Sequence, residues 1–338
     1  MRWIGLIFIT CLMSCRQNTT TGCEEGELWK LADFTVSTAL NAYQVFPGSP
    51  PLFDRHFNGL TTENDLKFEN IHPGPGFYDF TGADRLIRAA YERNIRIHGH
   101  PLVWHQQLPE WVGQSHDLRE VMIDHIQTLV NRYRGQVHAW DVVNEALDER
   151  GGLRKTVWLE NIGEDYLYLA YKTAQDADPG ALLFYNDFNL ASNPRKLDAA
   201  ISICRNLRNR GIRISGIGMQ MHISIAGPYR MELQEAVDKI WRAGFMVHFS
   251  ELDVSVNPWV TKTTITEKDL REQQDTYYDV VRIYRSIPPQ YQYGITLWGL
   301  TDADSWLPAY FNRVDAGLLF NTSGQPKPAY CGFQNALK

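Results

Sequence analysis

Two glutamates close apolar runs that lie about a hundred residues apart. Glu145 ends VHAWDVVNE, and Glu251 lies in MVHFSELDV. A buried carboxylate costs free energy unless a partner or a chemical task compensates for it. Two opposed carboxylates suit glycoside hydrolysis, in which one protonates the leaving oxygen and the other attacks the anomeric carbon or activates water. A separation of about 5–5.5 Å favours retention and about 6.5–9.5 Å favours inversion, and these residues alone leave both open.

Three neighbouring residues refine these roles. The amide of Asn144, directly before Glu145, could donate to a sugar 2-hydroxyl in the transition state. Asp253 lies two residues after Glu251, on the same face of a strand, and could hold His222 in one tautomer. His222 would then donate to Glu251 and keep it ionised, as a nucleophile must be. Glu145 must instead stay protonated, which apolar surroundings and the charge of Glu251 would favour.

Such residues meet only if the fold brings distant segments together, and the chain alternates in a way that can do so. Short runs rich in β-branched and aromatic residues predict eight strands. These runs cover residues 34–40, 56–64, 95–105, 137–145, 181–189, 214–222, 246–254 and 293–302. Segments with helical period lie between them, at residues 117–135, 165–180, 230–244 and 267–286. Several of these segments end in Gly, as helices often do.

This alternation predicts an α/β protein, a single (β/α)8 TIM barrel that covers residues 29–338. The competing architecture is a doubly wound sheet. That fold usually has a Gly-rich phosphate loop after its first strand, and the sequence contains none there. In a barrel, strands four and seven lie on facing sides, so Glu145 and Glu251 would oppose each other across the mouth.

Polar side chains collect near the C-terminal ends of the predicted strands, which a barrel gathers into one mouth. They are Glu63, Asn64, His98, His100, His105, Asn144, Glu145, Asn186, Asp187, Asn189, Gln220, His222, Glu251, Asp253, Trp298 and Asp302. Each alone is compatible with ordinary packing, but their common position predicts one pocket. A metal site is the competing use of the histidines. Because neither H-E-x-x-H nor C-x-x-C spacing occurs, we expect no catalytic metal and no cofactor.

Composition narrows the class of partner. The chain has 338 residues, of which 44% are hydrophobic, and this is enough for a large core. A formal net charge of −6 gives no electrostatic reason to expect a nucleic-acid partner. The 10 Trp and 16 Tyr suit sugar binding, although such residues also fill ordinary cores.

The first fifteen residues, MRWIGLIFITCLMSC, indicate export. Arg2 precedes an apolar run of about a dozen residues, which is too short to span a bilayer. The run ends at Cys15 in a pattern that resembles the lipobox of bacterial lipoproteins. We expect a signal peptide over residues 1–14, lipidation of Cys15, and a polar tether over residues 15–28 that holds the protein at a bacterial outer membrane. An ordinary signal peptide is the alternative.

Three further cysteines would remain in the exported protein: Cys23, Cys204 and Cys331. This odd, scattered set predicts neither a metal site nor a disulfide framework. Cys204 lies in the helical pattern of residues 195–211, and we expect it to be a small core residue.

Six motifs together resemble those of glycoside hydrolase family 10, whose members are mainly endo-β-1,4-xylanases. They are GHPLVWH, WDVVNEAL, YNDFN, GIGMQMHI, SELDV and GLLFNTSGQPKPAY, in the family's order from about residue 34 to the C-terminus. The resemblance implies a (β/α)8 barrel that hydrolyses xylan with retention. It is the resemblance, and not the spacing, that favours nucleophilic attack over inversion.

The resemblance also implies roles for individual residues. Glu145 matches the family's acid/base, and Glu251 matches its nucleophile. His222 and Asp253 match the pair that orients the nucleophile, and Asn144 matches the residue at the 2-hydroxyl. Substrate-binding positions match at Glu63, Asn64 and Lys67 one sugar away, at His100, Trp104 and Gln220 around the cleaved sugar, and at Trp298 and Trp306 as its floor and wall. We also expect Asn189, at a predicted strand end, to bind substrate.

Four positions depart from the family pattern. Leu66, Phe68 and Pro101 stand where Met, Trp and Thr are usual, and these exchanges indicate altered packing. Phe188 stands where many members have Tyr, so a hydroxyl on the leaving-group side is missing. This leaves the chemistry intact but bears on product size and on tolerance of side chains on the glycan.

The sequence therefore predicts a monomeric, membrane-tethered endo-xylanase that acts on xylan or xylo-oligosaccharides. A hydrolase for another β-1,4-glycan, such as a glucan, is an alternative, because discrimination depends on how closely Trp306 and its loop approach the position of the glucose hydroxymethyl group. A non-catalytic glycan-binding protein is the third reading. Such a protein would be expected to have lost Glu145 or Glu251, and both are present.

Overall fold

The computed structural model describes Cys23, residues 26–45 and residues 51–338. The expected signal peptide, the expected lipidation site at Cys15 and most of the expected tether lie outside these residues. In the part of the chain that is described, every helix is too short or too polar to cross a bilayer.

Parallel strands close into a barrel in chain order, and the first strand pairs with both the second and the last. Within the described residues they are β1 (Thr35–Leu40), β2 (Gly59–Thr62), β3 (Arg96–Gly99), β4 (Ala139–Asn144), β5 (Leu182–Phe188), β6 (Ile214–Ser224), β7 (Met246–Ser255) and β8 (Gln292–Leu297). The predicted barrel is confirmed. The prediction of one continuous strand over residues 95–105 is wrong, because β3 ends at Gly99 and Val103 then pairs with Val143 of β4 through an isolated bridge.

Helices surround the barrel, and a shorter one, which carries Trp306, lies at its mouth. In the described residues they are α1 (Leu28–Leu31), α2 (Pro51–His56), α3 (Phe68–Ile71), α4 (Thr81–Glu92), α5 (Glu110–Gly113), α6 (Leu118–Arg132), α7 (Val157–Ile162), α8 (Tyr166–Ala177), α9 (Pro194–Asn209), α10 (Arg230–Arg242), α11 (Glu267–Arg285), α12 (Trp306–Phe311) and α13 (Pro328–Leu337). Local side chains fix where they begin. Asp117 accepts the backbone N–H of Glu120 at the start of α6, and Thr266 and Asp269 form a reciprocal capping box at α11.

Strand pairing is irregular where strands four and seven approach the mouth. The register shifts after Asp141 on β4 and after Phe249 on β7. Nearby, Glu145 and Glu251 have φ angles of 57° and 58°. This left-handed conformation is rare for residues other than Gly, and local irregularities in a sheet re-aim side chains. Both predicted catalytic positions therefore have an unusual backbone conformation, Glu145 directly after β4 and Glu251 in the C-terminal half of β7.

A disulfide joins Cys23 to Cys331, which are 308 residues apart in the chain. The expectation of no disulfide was therefore wrong. The spacing gave no signal, because the two residues meet only when α13 closes the barrel beside the segment before α1. Close by, the backbone N–H of Gly26 donates to the Tyr330 hydroxyl at 3.1 Å. Cys204 is buried in α9 with a free thiol, as predicted.

Candidate active site

Glu251 is buried in the C-terminal half of β7, with a donor on each carboxylate oxygen. His222 Nε2 donates to Oε2 at 3.0 Å, and Asn186 Nδ2 donates to Oε1 at 2.6 Å. Burial alone would raise the pKa of Glu251, but the neighbouring His100 and the hydrogen bond from His222 outweigh it, so the pKa lies below its usual value. The group is therefore ionised at neutral pH.

His222 lies between two carboxylates. Its Nε2 faces Glu251, and its Nδ1 lies 2.9 Å from Asp253 Oδ2. Burial alone would lower the pKa of His222, but Asp253 and then Glu251 raise it to about 10. The predicted arrangement is present, with one difference. The ring is an imidazolium that donates from both nitrogens, whereas the sequence predicted a ring held in one tautomer.

Glu145 is buried directly after the end of β4. Gln220 Nε2 donates to its Oε1 at 3.2 Å, and Asn144 Nδ2 lies 3.5 Å from the same oxygen. The backbone carbonyl of Glu145 accepts from Arg154 Nε at 3.1 Å. Among the described residues, the hydrogen-bond donors to its side chain are therefore amides, while its backbone is anchored by a cation from the following loop.

The orientation of the Asn144 amide follows from its neighbours. Its Oδ1 accepts from Asn186 Nδ2 at 3.0 Å and from Gln220 Nε2 at 2.9 Å. Its Nδ2 is therefore left to donate, as the predicted contact with a 2-hydroxyl requires. The amides of Gln220, Asn144 and Asn186 form a chain that links Glu145 to Glu251.

Glu63, Asn64 and Lys67 lie together in the loop after β2. Lys67 Nζ donates to Asn64 Oδ1 at 2.9 Å, and Asn64 Nδ2 donates to Glu63 Oε1 at 3.1 Å. Burial raises the pKa of Glu63 and lowers that of Lys67. Asn41 Nδ2 donates to the second oxygen of Glu63 at 2.7 Å. Asn41 was not among the residues predicted from the sequence.

Aromatic rings surround the Glu251 side of the pocket. The Trp298 ring meets His100 edge-on with centroids 5.3 Å apart, and the Trp306 ring lies 4.8 Å from His222. Trp306 Nε1 donates to Asp253 Oδ2 at 2.7 Å. Lys67 Nζ lies 5.2 Å from the Trp104 ring centroid. The predicted substrate-binding residues in β6 and in the segments that follow β2, β3 and β8 are thus brought to one mouth.

A family model for glycosyl hydrolase family 10 matches residues 28–336. The chain belongs to this family. It is 38% identical over 292 residues to endo-1,4-beta-xylanase B of Paenibacillus barcinonensis, across 82% of this chain and 87% of that protein. The solved structure of a family 10 protein from Paenibacillus barcinonensis superposes with a TM-score of 0.89 at 31% identity, covering 92% of this chain and 97% of that one. Xylanase 10B of Thermotoga petrophila, solved in complex with xylobiose, has a TM-score of 0.86 at 31% identity and covers 93% and 98%.

Some polar strand ends of this family 10 chain do not belong to the mouth. His98, two residues before His100, points to the same face one layer deeper, where Nε2 lies 3.0 Å from Asp141. Asp302 instead binds Lys327 Nζ at 2.8 Å. The expectation that these two residues join the pocket was wrong, because side-chain depth in the barrel depends on strand bounds that the sequence pattern did not resolve.

A cleft of about 450 Å³ lies beside His222 and Trp306. Asn189 lines this cleft in a left-handed conformation, with φ of 59°, and its Nδ2 donates to Glu149 Oε2 at 3.2 Å. Phe188 packs under the ammonium of the buried Lys196, which lies 3.5 Å from the ring centroid. Phe188, which stands in place of the usual Tyr, thus puts an apolar ring against a buried cation.

The other departures lie in packed regions. Phe68 stacks on His125 with centroids 3.9 Å apart, and Leu66 and Pro101 are buried. Among the described residues, no group of three or more His, Cys, Asp or Glu side chains is arranged to hold a metal ion.

Proposed function

We propose that this chain is an endo-1,4-β-xylanase that cleaves xylan internally with retention of anomeric configuration. The observation that carries this proposal is the pairing of an ionised Glu251, held by His222 and Asn186, with Glu145, whose hydrogen-bond donors among the described residues are amides. This pairing divides the work of nucleophile and acid/base between two carboxyls, as double displacement needs. The membership in family 10 supports the same chemistry.

In the first step, Glu251 attacks the anomeric carbon while the glycosidic bond breaks. Glu145 gives its proton to the departing oxygen, so the leaving glycan departs as a neutral alcohol. The new bond joins the sugar to a Glu251 oxygen as an ester. The Asn144 Nδ2, whose amide is held by Asn186 and Gln220, faces the sugar 2-hydroxyl as charge develops on the ring.

In the second step, Glu145 acts as a base toward water. The water oxygen attacks the anomeric carbon, its proton passes to Glu145, and the Glu251 ester bond breaks. Two inversions at one carbon give net retention. The cation His222 stabilises the Glu251 carboxylate as it is released.

The fixed position of Trp306 favours xylan over glucan. This side chain is held by its hydrogen bond to Asp253 and by packing on Tyr310 and Phe311, with centroids 5.0 and 5.5 Å away. A wall held at three points resists the movement that a glucose hydroxymethyl group would require. Xylose lacks that group and needs no movement.

A substrate panel tests this proposal. Xylan, arabinoxylan, β-1,4-glucan and mannan are incubated with the enzyme, and products are analysed by length and by NMR of the first-formed anomer. We expect mixed xylo-oligosaccharides in the β configuration and glucan turnover at least about tenfold lower, because one methylene in a pocket can already change turnover by that much and a hydroxymethyl group is larger. A first-formed α anomer, or faster cleavage of glucan, would contradict the proposal.

We further propose that the protein is exported and lipid-anchored through Cys15 at a bacterial outer membrane. The N-terminal sequence supports this, and the Cys23–Cys331 disulfide supports export because disulfides persist in oxidising compartments. Cells fed labelled palmitate should yield labelled protein, and Cys15→Ala should carry no label. An unlabelled wild-type protein would contradict the anchor.

A further inference from the structure

Asn186 on β5 is fully buried, and all of its polar atoms have partners. One amide group donates to Glu251 Oε1 at 2.6 Å and to Asn144 Oδ1 at 3.0 Å. Its own Oδ1 accepts from Ser250 Oγ at 2.6 Å. A side-chain amide has two N–H donors and one oxygen, so these contacts fill both donors and engage the acceptor.

The surroundings allow one orientation of this amide. If it were flipped, its oxygen would face the acceptor oxygens of Glu251 and Asn144, and both of these hydrogen bonds would be lost. The neighbouring strand also leaves room for this amide at Gly218, where a Cβ would lie 2.3 Å from Asn186 Oδ1. Gly218 is paired with Asn186 across β5 and β6. A larger residue there would displace the amide from its position.

We infer that Asn186 is a positioning residue that couples the nucleophile to the 2-hydroxyl contact. It holds Glu251 with one N–H and orients Asn144 with the other, so one buried amide sets both the carboxylate and the donor to the sugar. The inference rests on the proposed function of this site. Asn186 touches the reacting groups only through Glu251 and Asn144.

The charge on Glu251 changes during the reaction, and this gives Asn186 a kinetic signature. Ester formation removes the negative charge from Glu251, and ester cleavage returns it. A donor to the carboxylate therefore favours the ionised free enzyme and the second step, in which the carboxylate leaves. Loss of the donor should raise the pH needed to ionise Glu251 and slow the release of the glycosyl-enzyme.

The first test uses Asn186→Ala with an aryl xylobioside that has a nitrophenol leaving group. We expect kcat/KM to fall by about 10–100-fold, a range common for partners of catalytic groups, and the acid limb of its pH profile to move up by about one pH unit. We also expect a larger pre-steady-state burst relative to kcat, because the second step is slowed more. The matched control is Asn161→Ala, on the exposed face of α7, which should leave all three quantities unchanged.

The second test measures coupling between Asn186 and Asn144. Asn144→Ala, Asn186→Ala and the double variant are compared by kcat/KM. If Asn186 acts partly through Asn144, its removal should cost at least about threefold less in the Asn144→Ala background than in the wild type. Costs that multiply would contradict the coupling.

The outcomes separate this inference from the proposed function. A wild-type enzyme that fails to cleave xylan and the aryl xylobioside overturns the proposed function. An active wild type, with an Asn186→Ala variant whose acid limb and burst match those of Asn161→Ala, overturns only the positioning role. If Asn186→Ala does not fold, Ser250→Ala removes the anchor of the amide and should shift the acid limb in the same direction by a smaller amount. An unshifted acid limb in folded Ser250→Ala would then overturn the role.

Discussion

At the scale of single residues, Glu145 and Glu251 differ in their hydrogen-bond partners. Glu251 has a cation and an amide on its two oxygens, while the donors to Glu145 among the described residues are amides. Each residue also holds a left-handed backbone conformation, which costs of order 1–3 kcal/mol. Packing elsewhere must compensate for this strain. Because the strain occurs at both predicted catalytic residues, it fits a functional need to aim their side chains.

Removal of each carboxylate should produce a different kinetic defect. Glu251→Ala should abolish turnover of xylan and of aryl xylobiosides, because no group remains to form the ester. Glu145→Ala should lose xylan hydrolysis by about 10²–10⁴-fold but keep a pre-steady-state burst with a nitrophenol leaving group, which departs without protonation. Rapid-quench measurement of released nitrophenol checks this. A Glu145→Ala variant with no burst would show that its assignment as the acid is wrong.

At the scale of elements, the alternation of strands and helices was enough to predict the barrel, because it depends on periodic burial that the sequence displays. Strand ends were less predictable. Asn186 was seen as a strand-end residue, yet its contact with Glu251 depends on the register of β5 against β6 and β7. Asn41 lies after β1, and its contact with Glu63 depends on a loop. Such contacts are tertiary, so no local pattern in a single sequence carries them.

The packing of α3 against α6 contains a second set of histidines, whose role is in stability. His72 Nδ1 lies 3.4 Å from His125 Nδ1, and the Phe68 ring stacks on both. Burial lowers the pKa of His72 to about 4 and that of His125 well below its usual value. Both rings are therefore neutral in the folded state, whereas in the unfolded state they become protonated below about pH 6.5.

The free energy of unfolding should therefore depend on pH through this pair. The folded-state pKa of His72 lies below its unfolded-state pKa. The contribution of neutral His72 to the free energy of unfolding is therefore complete above about pH 6.5 and is lost as the pH falls toward 4. At pH 5 the loss from His72 is about 2 kcal/mol. Urea unfolding at pH 7 and pH 5 should show a smaller decrease for His72→Phe than for the wild type. His116→Phe, at an exposed position, should keep the wild-type decrease, and equal decreases in all three proteins would contradict this account.

At the scale of the whole molecule, the fold brings the two ends of the described chain together. The bond between Cys23 and Cys331 closes a loop of 308 residues, and α13 packs against α11 to complete the barrel wall. The site hydrogen bonds come from the strand ends and the loops that follow them, and neither cysteine takes part in those given above. Stability of the closed chain and activity at the mouth should therefore respond separately to loss of this bond.

Loss of the disulfide should lower stability and spare catalysis. A cross-link over a long loop restricts the unfolded chain, and its removal typically costs about 2–5 kcal/mol. Cys23→Ser should therefore unfold at a lower temperature than the wild type, while kcat on xylan well below that temperature stays the same. A reductant should lower the unfolding temperature of the wild type but not of Cys23→Ser, which is its internal control. Thiol titration should confirm that the bond is completely reduced. If the unfolding temperature of the reduced wild type is unchanged, the bond does not contribute to stability, and the packing of α13 alone holds the chain ends together.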